Sequence, residues 1–412
     1  MWRCLLTGWM LWGQDTLYLT LKDAEKQLLQ KNLLLIAQQL QIESDRALVW
    51  QARLWPNPQL SLTEMDVFTQ AEAPLPPFLA YPRINQVVAS FSQVILTARK
   101  RLKGIALAEA VVASQEAAFA ELLRQLRYAL HTAFYGLQRD RILLDILRQQ
   151  ASPLRQLADR YRTLSAQGLV PLAEYLRLEN LYFQIQSELH AARQRWEEGQ
   201  HTLRTLLRSE PLTAIFWVDT VGFFQLPGSL PPNLDTLLVG VQWRGDVRLA
   251  AAERHLQEAN LAVVRAAAYP DLLVGANFDR LGGYRLNQWG LGVSLTLPLF
   301  NRNQGRVQAV RYALEAAQAR YEQALRQAQS EVLQAWRQLQ ALYNQAREMP
   351  PDLLSQYQRA ENTYRENLLA GRIGFLTYVD FFQSYRELAK NLVQTFYLMR
   401  QTENELRHAA GL

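Results

Sequence analysis

The segment QGLVPLAEYL (residues 167–176) returns in the second half of the chain as AGRIGFLTYV (residues 370–379). Each copy places a glycine, Gly168 or Gly371, just after a long stretch rich in Ala, Leu, Gln, Glu and Arg. Glycine beyond the last turn of a helix readily takes the left-handed conformation that ends many helices. The two segments therefore predict two helical hairpins at equivalent places of an internal repeat.

Other segments recur in the same order. Asn85-Gln86-Val87 returns as Asn287-Gln288-Trp289, again at an offset of about 203 residues. Trp55-Pro56 is echoed by Tyr269-Pro270. Each half is thus predicted to contain a helix, two short strands, a very long helix, a turn and a last helix.

The predicted boundaries follow from these patterns. Repeat 1 (15–210) has strands at about 57–68 and 85–96, a long helix over 98–165, a turn over 166–171 and a helix over 172–208. Repeat 2 (246–412) has strands at about 271–281 and 287–298, a helix over 302–368, a turn over 369–374 and a helix over 375–410. Residues 211–245, rich in Pro and aromatic residues, form the link between the repeats.

Helical signal dominates the chain. In the long helix of repeat 1, apolar residues recur at steps of three and four and form a narrow stripe, as in coiled-coil packing. A first helix is predicted over 20–52. Proline inside a helix removes a hydrogen bond, so Pro153 and Pro350-Pro351 are expected to kink or interrupt the long helices.

The strand segments of repeat 2 alternate between apolar and small or polar residues, and those of repeat 1 do so less cleanly, since Leu60 and Leu62 share a side with Glu64 and Asp66. Leu272, Val274, Ala276 and Phe278 share one face, and the return strand repeats the alternation after Gly282-Gly283. This pattern suits a membrane barrel strand with lipid outside and water inside, and it also suits an ordinary half-buried hairpin. Four strands cannot close a barrel, so spanning a membrane would require several copies of the chain.

Composition excludes some classes of protein. The 412 residues are 49% hydrophobic, and the net charge of +6 is spread without basic blocks, which disfavours nucleic-acid binding. The sequence has no stretch of about 18 mostly apolar residues, so no transmembrane helix is predicted. A single cysteine, Cys4, excludes a disulfide framework and a cysteine metal site.

The N-terminus resembles an export signal. A basic start and a short apolar run predict a signal peptide over residues 1–14. Cys4 precedes the apolar run, so no lipid anchor is expected there.

No catalytic arrangement is recognisable. The histidines are dispersed, and none has a metal-ligating partner one helical turn away. We therefore expect neither an enzyme nor a bound cofactor. The five histidines are His131, His190, His201, His255 and His408.

The repeat, the strand pairs at Pro56 and Pro270, the long helices and the glycine turns resemble the TolC family of outer-membrane efflux channels. LPLFNRNQG (residues 297–305) is similar to the strand-to-helix junction of its CzcC-like branch, which serves heavy-metal pumps of the resistance-nodulation-division (RND) type. The corresponding junction of repeat 1 has Val94 where the family usually has Pro.

The resemblance implies a mainly α fold with a small membrane β-barrel. Three copies would join four strands each into a barrel of twelve, above a tunnel of long antiparallel coiled-coil helices. It also implies an outer-membrane location extending into the periplasm. Its expected partners are two further copies, outer-membrane lipid, a periplasmic adaptor and an inner-membrane RND pump.

The same resemblance assigns roles to the hairpin tips. Gly168, Leu169, Gly371 and Ile373 would dock the adaptor. In the family, carboxylates six and nine residues after the turn glycine line the closed periplasmic gate. Glu174 and Asp380 occupy two of those four positions, while Arg177 and Thr377 occupy the others. Arg372 would pair with Glu174 to hold the gate closed.

The function expected from these features is a passive exit duct of a tripartite efflux system that exports heavy-metal cations or other small toxic solutes. A duct of the same fold for drugs or general solutes is an alternative. In other classes, a soluble coiled-coil scaffold and a periplasmic adaptor remain open. A plain helical-hairpin cap is likewise an alternative for the glycine turns, and a solvated surface carboxylate for Asp380.

Overall fold

A computed structural model describes residues 16–65, 86–208, 215–226, 233–280, 286–350 and 352–411. The predicted signal peptide, Cys4, the Gly282-Gly283 turn and Pro351 lie outside these residues. Most described residues are helical. No helix among them is both long and apolar enough to cross a membrane.

The chain forms nine helices and six strands over its described residues. The helices are α1 (Leu21–Lys31), α2 (Leu33–Arg53), α3 (Lys100–Ala166), α4 (Leu172–Leu207), α5 (Leu234–Gly240), α6 (Gly245–Ala266), α7 (Gln304–Arg347), α8 (Leu353–Leu369) and α9 (Phe375–Ala410). The strands are β1 (Thr16–Leu19), β2 (Gln59–Met65), β3 (Gln86–Ile95), β4 (Ile215–Val218), β5 (Leu272–Asp279) and β6 (Gln288–Leu295).

The offset between equivalent residues of the two repeats is not constant. Pro56 and Pro270, which precede β2 and β5, lie more than 203 residues apart. The reason is the longer connection between β2 and β3 than between β5 and β6.

The first predicted helix is divided in two at Asn32. The Asn32 side-chain oxygen accepts hydrogen bonds from the backbone N–H groups of Leu34 (3.0 Å) and Leu35 (3.3 Å), and its amide nitrogen donates to the Leu206 carbonyl (3.1 Å). This buried side chain caps the start of α2, in the manner of asparagine at a helix N-cap. The prediction of one continuous helix over 20–52 was therefore wrong.

The two prolines behave differently. Helix α3 continues through Pro153, so the expected break does not occur there. The flanking Ala151, Leu154 and Leu157 are buried in a core, and their packing outweighs the lost hydrogen bond. The long helix of repeat 2 does stop, since α7 ends at Arg347 and α8 begins at Leu353, beyond Pro350.

A small parallel sheet was not foreseen. Strand β1 pairs with β4, a strand of the inter-repeat segment, from Thr16 opposite Ile215 to Leu19 opposite Val218. The fully buried Gln200 side chain of α4 binds both backbone groups of Phe216, at 2.8 Å each. Four-residue strands carry too little alternation to be recognised in a sequence.

The chain divides into two compact units. The hairpin unit comprises Met1–Ala37, Ala120–Gly245 and Leu325–Leu412, and the sheet unit comprises Gln38–Phe119 and Asp246–Ala324. The core of the hairpin unit brings together buried residues of α3, α4, α8 and α9, among them Leu154, Leu178 and Tyr378.

The sheet unit contains one antiparallel sheet in the order β2-β3-β5-β6. Its register aligns the apolar sides of all four strands: Leu60 lies opposite Phe91, Phe91 opposite Ala276, and Ala276 opposite Leu291. The other side carries small and polar residues such as Ser90, beside Ser61 and Asn277.

The apolar side is exposed. Leu291 is 92% exposed, Trp289 78% and Leu60 71%. An ordinary half-buried hairpin would cover this side with its own core, and the described residues do not cover it.

Candidate functional site

The two hairpin turns have the same backbone design. Gly168 has φ +72° and Gly371 has φ +67°. The Leu169 N–H donates to the Leu164 carbonyl at 3.0 Å, and the Arg372 N–H donates to the Asn367 carbonyl at 2.8 Å. A bond across five residues around a left-handed glycine is the Schellman ending of a helix.

Glycine is required here for its backbone conformation. A Cβ atom on Gly168 or Gly371 would meet nothing within 4 Å in this chain. A left-handed φ is costly for other residues, so both turns depend on the absence of a side chain. Inside the described chain, neither glycine makes room for a close neighbour.

The turns present exposed leucines. Leu169 is 68% exposed, and Leu172 and Leu176, one helical turn apart on α4, are 61% and 53% exposed. In the second hairpin, Leu376 is 62% exposed. Ile373, predicted to dock a partner, instead packs partly buried against the core of the hairpin unit.

The sequence alone did not identify Leu172, Leu176 and Leu376 as surface residues. Their apolar character places them in a core when they are read in a sequence, and only the position of the helices shows that they face outward. These three and Leu169, the exposed leucines beside the two turns, are here called the tip surface.

The predicted gate residues do not contact one another within the chain. Asp380 and Arg372 are exposed, and Glu174 is half-buried. Over the described residues, the side chains of these three make no hydrogen bond or ion pair, so the expected pairing of Arg372 with Glu174 is not formed within one chain. Burial raises the pKa of the Tyr161 phenol, and the neighbouring Glu174 carboxylate adds to that shift.

A buried carboxylate joins the helices behind the second turn. Glu361 of α8 is 6% exposed, pairs with Arg365 at 3.2 Å and accepts a hydrogen bond from the Tyr378 hydroxyl at 3.2 Å. Burial raises the pKa of Glu361, while the charge of Arg365 opposes that rise. Burial also raises the pKa of Tyr378, so its hydroxyl keeps its proton and acts as a donor.

A second charged group joins the two hairpins. Arg386 of α9 donates to Glu188 of α4 at 3.0 Å and to the Gln184 side chain at 3.1 Å. Lys390 also contacts Glu188. Neither group was predicted. Arg386 and Glu188 lie on helices that are far apart in the sequence, whereas Glu361 and Arg365 are one helical turn apart on α8 and the sequence pattern did not show that Glu361 would be buried.

This arrangement offers surfaces and fixed charges in place of reactive groups. Within the described ranges, no three His, Cys, Asp or Glu side chains come together as a metal site. The exposed apolar turns can bind another protein. The exposed Asp380 carboxylate can act on ions electrostatically.

Comparison with known proteins finds a similar family and similar folds. Residues 242–412 match the family model described as Outer membrane efflux protein. A segment of 76 residues is 36% identical to the nickel and cobalt resistance protein CnrC of Cupriavidus metallidurans. That segment is 18% of this chain and 18% of CnrC, so the match spans less than a fifth of that relative.

Solved structures resemble the chain over nearly its full length. CusC aligns with a TM-score of 0.73 at 18% identity, over 95% of this chain and 92% of CusC. The outer membrane protein VceC of Vibrio cholerae gives the same TM-score and identity, over 95% of this chain and 96% of VceC. At identities this low, the alignments show a similarity of fold alone. The chain is therefore similar to the outer membrane efflux protein family over its second repeat, and its fold is that of the TolC-type channels.

Proposed function

We propose that this protein is a passive exit duct of the outer membrane, built from three copies of the chain and extending into the periplasm. The observation that carries the proposal is the exposed apolar side of the four-stranded sheet. Trp289, Leu291 and Val293 are each more than two-thirds exposed on one strand. Soluble proteins rarely expose continuous apolar surfaces, whereas a bilayer covers them.

The opposite side of the sheet suits a water-filled pore. Ser90, Ser92, Asn277 and Ser294 lie on it, together with glycines. Barrel strands in outer membranes alternate in this way, with apolar residues toward lipid and polar residues toward the lumen.

The edges of the sheet indicate the number of copies. Strands β2 and β6 each have one side without a partner strand in the described chain. Unpaired backbone groups are costly in lipid, and four strands are too few to enclose a lumen. Three chains would supply twelve strands and leave no edge. Family members are trimers that work with adaptor and inner-membrane pump proteins, which supports this assembly.

The rival classes do not account for the sheet. A soluble coiled-coil scaffold has no use for an exposed apolar sheet side, and an adaptor would need one hairpin where this chain has two. The family and fold also favour a channel over an enzyme.

The first prediction tests insertion into the membrane. Leu291→Arg places a charge on the lipid side of β6 and costs about 2–4 kcal/mol if that position lies near the bilayer centre. We expect a large loss of carbonate-resistant trimer in the outer-membrane fraction, measured by fractionation and gel mobility without heating.

Gly292→Arg is the matched control. Gly292 follows Leu291 on β6 and therefore points to the other side of the sheet, and a Cβ atom on Gly292 would meet nothing within 4 Å. This variant should insert like the wild type. Equal insertion of both variants, or wild-type protein released by carbonate, would contradict the membrane assignment.

The tip surface supports docking of a periplasmic adaptor. Its leucines are exposed around both turns, and apolar side chains of this kind form the centres of protein interfaces. Because the turn occurs twice in each chain, three copies would offer six similar docking points. The adaptor in turn would connect the duct to an inner-membrane RND pump.

The second prediction concerns this docking. Leu169→Glu introduces a charge that must be desolvated on binding, and we expect loss of in-cell crosslinking to the adaptor together with loss of export. Leu286→Glu is the control, because Leu286 is 70% exposed but belongs to the sheet unit. Unchanged crosslinking of Leu169→Glu would contradict docking at this turn.

The gate proposal rests on Asp380. Its side chain is exposed and has no partner among the described residues, and it follows Gly371 by nine positions. On a threefold axis, three such carboxylates would form an acidic ring. A ring of negative charge in a narrow pore favours the passage of cations. Glu174 and Arg372 would contribute by pairing between different copies.

The third prediction follows from this ring. Asp380→Asn should weaken cation preference and block by divalent cations, measured on trimers in planar bilayers. Glu174→Gln should do less, because Glu174 is half-buried beside Tyr161. Identical selectivity and block in Asp380→Asn and wild type would show that Asp380 does not face the pore.

The proposed cargo is heavy-metal cations. Its support is the similarity to a nickel and cobalt resistance protein and the junction at residues 297–305. A drug or general-solute duct of the same fold is the competing proposal.

The fourth prediction separates these cargoes. Deletion of the gene should lower tolerance to Ni, Co, Zn, Cd or Cu, measured as growth inhibition beside a panel of drugs, and the wild-type gene should restore it. Unchanged metal tolerance with a new drug sensitivity would overturn the metal assignment while leaving the duct intact.

A further inference from the structure

A cavity of about 620 Å³, wide open to its surroundings, lies where strands β3, β5 and β6 meet the helices of the sheet unit. Its size falls within the range of about 300–1,000 Å³ that is usual for small-molecule pockets. The described residues that line it are Thr97, Ala98, Arg99, Lys103, Tyr269, Pro270, Leu272 and Leu295.

One side of this cavity is cationic. Arg99 is exposed and Lys103 is half-buried, and over the described residues neither makes a side-chain hydrogen bond or ion pair. Among the described residues that line the cavity, none is acidic. The two charges are therefore available to an anion.

Neighbouring charges are already occupied. Lys100 lies 2.7 Å from the Asp271 carboxylate and donates to the Tyr269 carbonyl at 2.6 Å. Arg101 donates to the Arg53 carbonyl at 2.9 Å and stacks over Trp55, 4.6 Å from the ring centre. These contacts fix the junction and leave Arg99 and Lys103 as its unused cations.

The floor of the cavity is apolar and continues onto the exposed side of the sheet. Leu272 and Leu295 are register partners, and the next partners on the same side are Val274 with Val293 and Ala276 with Leu291. A molecule held here would have its charged part beside Arg99 and its apolar part along these strands.

We propose that this cavity binds one anionic phospholipid per chain. Arg99 and Lys103 bind its phosphate group, and Leu272 and Leu295 contact the first part of its acyl chains. Arginine and lysine both bind phosphate, and cations at the edge of an apolar band attract anionic lipids. The inference rests on the proposed membrane function, because only a chain inserted in a bilayer meets such lipid from the side of its sheet.

The test is native mass spectrometry of the full-length protein, extracted from membranes and stripped of lipid in a neutral detergent. It is titrated with dimyristoylphosphatidylglycerol or with zwitterionic dimyristoylphosphatidylcholine. We expect one phosphatidylglycerol per chain and a preference for it of about thirtyfold, since each cation at a membrane surface contributes about fivefold. Arg99→Gln/Lys103→Gln should abolish that preference, and Arg99→Lys should retain it.

Arg311→Gln/Arg320→Gln is the matched control, because it removes two exposed charges from α7 in the same unit. It should bind lipid like the wild type. Equal binding of the two lipids by the wild type would overturn the proposal, as would displacement by millimolar inorganic phosphate. Dissociation of the trimer in Arg99→Gln/Lys103→Gln would instead assign the cavity to a second copy of the chain.

Failure of the two proposals can be told apart. A wild-type protein absent from the outer-membrane fraction would overturn both. A protein that inserts there but shows no preference for the anionic lipid would overturn the lipid site alone.

Discussion

The packing of two helical hairpins on one apolar core organises the hairpin unit. Leu154, Leu178 and Tyr378 are fully buried and come from three different helices. Burying one such side chain contributes about 1.5–3 kcal/mol, more than a turn or a cap supplies. This explains why α3 can keep a proline in its interior. It also explains why the turns can be short glycine endings with leucines left exposed, since the core beneath them already holds the helices together.

Charges inside this packed region limit how the helices can be arranged. Glu361 is buried and satisfied by Arg365 and Tyr378, and Glu188 receives Arg386 and Lys390 across the hairpins. For the buried Glu361, removing the partner of its ion pair is expected to cost about 3–5 kcal/mol, because its charge is left without compensation. A sliding of α9 along α4 would separate Arg386 from Glu188, so these contacts oppose a change of register. Any opening of the proposed gate must either preserve them or replace them.

The sheet unit follows a different physical rule, since its apolar side faces outward. The pairing of β3 with β5 joins the two repeats in one sheet. The register keeps most apolar residues on one side across the four strands, with Glu64 and Gln93 as polar exceptions on that side. A one-residue shift would move polar residues to that side, so the alternation itself fixes the register. The proposed barrel and the proposed lipid site both use this side. In the barrel, lipid covers the apolar side chains along the strands. The cavity lies at one end of this apolar side, where Arg99 and Lys103 supply two cations.

The sequence by itself predicted an internal repeat, the helical hairpins, the strand pairs and the resemblance to a channel family; the structure contains the hairpins and the strand pairs, and the comparisons support the resemblance. These features depend on local rules: a period of two for strands, three to four for helices, and glycine after a helix. The resemblance to the channel family depended on residues 297–305 and on the residues of the two glycine turns. Only the tertiary structure decided that Asn32 divides the first helix, that α3 passes through Pro153, that β1 pairs with β4, and that Ile373 packs inward while Leu172 faces out. It also decided the buried partners of Glu361 and Glu188 and the available cations Arg99 and Lys103. Most of these outcomes depend on packing between residues that are far apart in the chain, such as Asn32 with Leu206 and Arg386 with Glu188, and a local sequence pattern carries no record of which distant side chain will lie beside it.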